Sequence, residues 1–90
     1  MLRLLEQVEN RFSNDYETTM LNGQRCFVAP NGTVFFFIVL EQLRSLLVEY
    51  ADDIQGAKSG IFDDGDLMDV DQSFEELIAE IREELQREAA

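Results

Sequence analysis

The chain contains no histidine and no tryptophan, one cysteine and one proline in 90 residues, and no apolar run longer than seven. Without histidine it lacks the commonest general base, the commonest metal ligand and the partner for a Ser-His or Cys-His nucleophile pair. A single cysteine, Cys26, permits no internal disulfide and no zinc site of the Cys/His type. Residues 34–40 form the longest apolar run, and a membrane-spanning helix needs about 20 such residues. Residues 1–12 interleave charge with apolar side chains, unlike a secretory signal. A lone cysteine without an export signal reads most simply as a cytoplasmic protein. Bases are also scarce, with seven Lys and Arg against nineteen Asp and Glu and a net charge of −12.

What is present is apolar bulk and acid. Apolar residues make up 46% of the chain, with seven Phe among them, which argues against disorder throughout. The length fits one small α+β domain, residues 1–90, in which every element must feed one core. The charge is uneven. Residues 1–48 hold five acids and four bases, whereas residues 49–90 hold fourteen acids and three bases. Such a field repels nucleic acid and anionic lipid and attracts basic proteins. The bland counterpart is a surface that only keeps the protein in solution.

Helical spacing of Met1, Leu4, Leu5, Val8 and Phe12 predicts a helix over residues 1–12. Residues 16–21 and 25–29 read as strands joined by Asn22-Gly23, whose two residues both tolerate positive φ. A second turn, Pro30-Asn31-Gly32, leads to a third strand over 33–38 that can extend to 40. Its unbroken apolar run implies cover on both faces. Residues 39–51 admit two readings. One is a helix with a stripe through Leu43, Leu46, Leu47 and Tyr50. The other, slightly preferred, turns near 41–44 and returns as a strand over 46–51. A short helix is expected around 54–59, with Asp52 or Asp53 as its cap. Over 61–71, Asp63-Asp64-Gly65-Asp66 reads as a turn inside a hairpin or extended loop. Residues 73–87 give the clearest helix, with Ser73 and Glu76 as a capping box and Phe74, Leu77, Ile78, Ile81 and Leu85 as its stripe. The expected architecture is therefore an antiparallel meander of three to four strands, packed against N- and C-terminal helices.

Two features invite a functional reading. Asp63, Asp64, Asp66, Asp69 and Asp71 fall within nine residues and could hold a cation. An EF-hand is excluded, because setting Gly65 at loop position 6 places Gly60 at position 1. A solvated turn is the simpler account, and no metal or other cofactor is expected. The last helix adds Glu75, Glu76, Glu80, Glu83, Glu84 and Glu88, all read as lying on its wet face. Paired carboxylates catalyse when burial raises one pKa, which a wet face does not provide, so no catalytic residue is assigned. Cys26 lacks any activating base except carboxylates and reads as a packed strand residue. The partner-binding candidates are Asp63, Asp64, Asp66, Asp69, Glu76, Glu80, Glu83 and Glu84.

In size, acidity and α+β layout the chain resembles small acidic bacterial proteins that neutralise a partner, such as toxin-immunity proteins and phage or plasmid inhibitors of nucleases. The stretches Glu49-Tyr50-Ala51-Asp52 and Phe62-Asp63-Asp64-Gly65-Asp66-Leu67, followed by an acidic helix from Ser73, are similar to those of short bacterial proteins. The resemblance implies a stoichiometric inhibitor whose acidic loop and last helix meet a basic site. A second resemblance, to the small acidic secretion chaperones, implies a homodimer. Its contact would fall on Phe35, Phe37 or Leu47.

Overall fold

The computed structural model describes residues 2–89, and Met1 lies outside the described residues, as does the side chain of Glu88. Helix α1 (Leu2–Ser13) precedes strands β1 (Glu17–Leu21), β2 (Gln24–Val28) and β3 (Val34–Leu40). A single 3-10 turn (Glu41–Leu43) leads into β4 (Ser45–Ala51). Helix α2 (Ile54–Lys58), strand β5 (Asp64–Asp69) and helix α3 (Phe74–Ala89) complete the chain. The five strands lie in sequence order and each pairs antiparallel with the next. The fold is α+β, with helices at both termini and one strand more than the sequence led us to expect.

Turn chemistry explains the early meander. Asn22 and Gly23 sit at φ 52° and 79°, which matches the right-handed twist of the β1–β2 hairpin. In the β2–β3 turn, Asn31 Oδ1 accepts the Thr33 N–H at 3.1 Å, and Gly32 takes φ 96°. Residues 39–51 adopt the strand reading. Seven rungs join β3 to β4, from Val34–Ala51 to Leu40–Ser45. A helix from residue 39 would have left that edge of β3 without backbone partners. The reversal is closed by Arg44 at φ 48°, whose N–H donates to Glu41 O at 3.1 Å.

The acidic segment corrects one expectation. Asp64-Gly65-Asp66 is strand, not turn, and β5 makes six rungs with β4. Pairing to the second edge of β4 overrides the low β-propensity of Asp, because carboxylates on an edge strand remain in water. Gly65 fits closely there: a Cβ would lie 3.3 Å from Val48 O and 3.4 Å from Leu47 Cδ1.

The sheet has two cores. On its first face, Phe27, Phe35, Phe37, Leu46, Val48 and Met68 are buried beneath Val8 and Phe12 of α1 and Leu77, Ile78 and Ile81 of α3. Phe12 lies 5.3 Å from Phe37 and 6.2 Å from Phe35, ring centre to ring centre, in tilted and edge-on contacts that favour aromatic pairs. The second face carries Cys26, Val34, Phe36 and Ala51, covered by Ala57 of α2 and by Phe62, whose ring meets Phe36 edge-on at 4.8 Å. Cys26 is packed in this smaller core, and burial pushes its thiol pKa up. Phe35 and Phe37 are sealed in the first core, so neither offers the dimer contact proposed for it. Leu47 alone of that set reaches the surface, half-buried on the second face.

Candidate functional site: an acidic edge

The acidic candidates fall along one side of the molecule, where β5 forms the sheet edge and α3 packs over it. Strand alternation splits the Asp residues. Asp64 and Asp66 pair with Tyr50 and Val48 and so share the helix-covered face with them. Asp69 pairs with Ser45 and belongs to the second face with Leu67. Asp63 immediately precedes the strand and is exposed. One row of acids therefore becomes two, facing opposite ways.

Helix α3 begins where Ser73 Oγ accepts the Glu76 N–H at 3.1 Å, one half of the capping box expected from its sequence; among the described residues the Glu76 carboxylate does not return a bond to Ser73. Its apolar stripe faces the sheet, which sorts its charges onto two flanks. One flank meets α1: Arg11 forks onto Glu75 at 2.7 and 3.1 Å, and Arg82 reaches Asp15 at 2.8 Å. Glu76, Glu80, Glu83 and Glu84 occupy the other flank and the outer surface. Gln72 ties this flank to the strand, its Nε2 donating to Asp69 O and to Glu80 Oε1, both at 2.7 Å.

One expectation about these glutamates changes. Glu80 is half-buried and the Glu84 side chain is 21% exposed, so neither stands on the wet face. The flank is also less negative than its acid count suggests. Arg87 bonds Glu83 at 3.4 Å and Glu84 at 2.9 Å, neutralising one charge of the two. The carboxylates of Asp63, Asp64, Asp66 and Glu76 have neither hydrogen-bond nor ion-pair partner among the described residues. Asp69 and Glu80 accept hydrogen bonds but likewise form no ion pair among the described residues.

Asp71 has a different task. Arg44 forks onto it, with Nε to Oδ2 at 2.7 Å, and the Asp71 backbone N–H donates to Asp69 Oδ1 at 2.7 Å. The Arg44 guanidinium holds the Asp71 carboxyl below its usual range, and Arg11 does the same to Glu75. Glu9 on α1 is shifted the other way, raised by burial against the opposing pull of Arg25. It sits on the β2 side of the sheet, away from the acidic edge. Among the described residues no three Cys, Asp or Glu side chains converge as a metal ion would require. No described helix is long and apolar enough to cross a membrane.

One concave feature lies away from these acids, and another takes in two of the Asp residues. A shallow groove of about 500 Å³ between α1 and α3 is lined by Gln7, Asn10, Arg11, Asn14 and Phe74. A cleft of about 420 Å³ lies where the 3-10 turn meets β5, with Leu43 and Leu67 at its walls and Asp69 and Asp71 among its polar members. Leu67 and Leu43 are 58% and 65% exposed. The sequence reading missed this apolar element. A strand period through Asp66-Leu67-Met68-Asp69 would have found it, since it sends Met68 inward and Leu67 outward. Comparison with family models, with curated proteins and with solved structures found no match.

Proposed function

We propose that this protein is a non-catalytic, cytoplasmic binding protein that neutralises or inhibits a basic protein partner, in the manner of a toxin-immunity protein or nuclease inhibitor. The observation that carries the reading is the charge layout at the β5–α3 edge. Among the described residues, Asp63, Asp64, Asp66 and Glu76 form no ion pair, while Arg11, Arg44 and Arg82 are each engaged with another acid. Like charges gathered on one side raise the local potential and steer a basic partner to that side. The same potential disfavours nucleic acid and anionic membrane as direct ligands.

The test is capture of partners from the source lysate at low and physiological salt, followed by affinity measurement with a charge-reversed variant. Asp64→Lys/Asp66→Lys/Glu76→Lys should weaken binding of the captured basic protein by about tenfold or more and flatten its salt dependence. Unchanged affinity would remove these residues from the contact. A second reading, a dimeric assembly module, is favoured by the exposed Leu43 and Leu67. Sedimentation at high concentration separates the two, because the inhibitor reading expects a monomer until the partner is added.

A further inference from the structure

The second face of the sheet is covered over only part of its area. Helix α2 and Phe62 shield Cys26, Val34, Phe36 and Ala51. Beyond Phe36 the register continues with Ile38, Leu47 and Leu67, aligned as one row across β3, β4 and β5. Same-face neighbours in adjacent strands stand about 5 Å apart, so the three aliphatic side chains form a continuous strip. Ile38 packs at its inner end against the cluster covered by α2, Leu47 is half-buried, and Leu67 is 58% exposed. At its β5 end the strip meets the cleft walled by Leu67 and Leu43.

Acids border the strip. Glu49 occupies the row on one side, between Phe36 and Gly65. Asp69 ends the row on the other side, beyond Leu40 and Ser45. Among the described residues, Arg44, the base of the cleft at this end, is already forked onto Asp71. A second copy of the chain would bring the same acids to the same border and a further charge of −12. Like-charge juxtaposition of this kind opposes self-association. A segment with aliphatic side chains along one face and Lys or Arg beside them satisfies both the strip and its border.

We propose that the Ile38–Leu47–Leu67 row, with Leu43, is the seat for a basic amphipathic segment of the protein partner. The proposal rests on the basic-partner reading and deepens it. The acids of β5 and α3 attract, and the aliphatic row on the opposite side of β5 supplies the desolvated contact that holds. Interfaces of this kind concentrate their affinity in a buried apolar centre and leave the charged rim to govern rate and salt dependence.

Two synthetic peptides of about five helical turns test it. One is an amphipathic Leu/Lys helix; the other has Ser at every Leu position and the same charge. Each is titrated into isotopically labelled protein at physiological salt, with backbone amide shifts as the readout. The Leu/Lys peptide is expected to perturb Ile38, Leu47 and Leu67 most. It should bind about tenfold or more tighter than the Ser/Lys peptide, the worth of one buried leucine. Leu67→Asp, at a position already in water, is expected to erase that advantage and leave the rest of the spectrum folded. Equal binding of both peptides, with shifts confined to β5 and α3 acids and no effect of Leu67→Asp, would overturn the apolar seat while leaving the basic-partner reading in place. Failure of both peptides to bind would remove both readings. Loss of the same amide signals on concentrating the protein alone would make a second copy the occupant and overturn the proposal.

Discussion

One face of the sheet is closed by two long helices and a cluster of aromatic rings, whereas the other has a five-residue helix and a single Phe over part of its width. Both faces begin from the same strand. Alternation along β3 sends Phe35 and Phe37 to the first face and Phe36 and Ile38 to the second. The apolar run is thus a demand for cover on two sides, and the chain meets that demand fully on one. What separates the faces is the length of helix available, not the hydrophobicity of the strands. The difference teaches where stability and recognition reside: a closed face holds the fold, and a half-open one leaves apolar area for something else to bury.

The largest test of that division is a pair of truncations one residue apart. Phe35→Ala removes a ring from the aromatic cluster and should cost about 3–5 kcal/mol, a large share of the stability of a chain this small. Phe36→Ala should cost about 1–2 kcal/mol less, since the space it vacates lies beside open surface and can take up water. Urea midpoints of the two variants measure the gap, and equal midpoints would break the distinction between the faces. A smaller effect is expected at the cover itself. The Asp53 carboxylate accepts the Gly56 N–H at 2.8 Å to cap α2. Asp53→Ala should lower global stability by about 1 kcal/mol, with the loss of amide protection concentrated in α2. Uniform loss of protection would show that α2 is not a separable lid on the second face.

The smallest effect concerns charge. Burial raises the folded-state pKa of Glu9, so its ionised form is the disfavoured one. Its contribution is full below the unfolded pKa and is lost as pH rises through the raised value. Glu9→Gln should therefore gain stability slightly at neutral pH, with the gain vanishing in acid. Asp71 and Glu75 run oppositely, their pKa values lowered by Arg44 and Arg11. Their pairs stabilise above the unfolded pKa and fade as pH falls through the lowered one. Both are exposed, so added salt should weaken them while leaving the Glu9→Gln difference nearly intact. Thermal melts across pH at two salt concentrations read both trends, and a Glu9→Gln gain that persists in acid would exclude ionisation as its cause.

Much of the fold was legible because its signals are local. Asn22-Gly23 specifies its turn by the φ values it tolerates, and Ser73 announces α3 by the N–H it accepts. Of the candidate site, the side on which the acids gather was legible, but their division was not. Glu80 and Glu84 are less exposed than Glu76, Glu80 being held by Gln72 and Glu84 by Arg87, contacts that the helical stripe alone does not reveal. Leu67 went unnoticed because the run of Asp around Gly65 has the composition of a turn.

By itself the sequence determined the class of fold, the early meander, the terminal helices and the sign of the field, since each depends on spacing, turn chemistry or charge count within a few residues. Only the tertiary structure decided that residues 39–51 return as a strand and that Asp64–Asp69 extends the sheet. It also decided which acids are neutralised by Arg11, Arg44 and Arg82 and which aliphatics are left in water. Those outcomes depend on backbone groups and side chains far apart in the chain. An unpaired strand edge recruits whatever segment can reach it, and a side chain's exposure is set by what packs across from it.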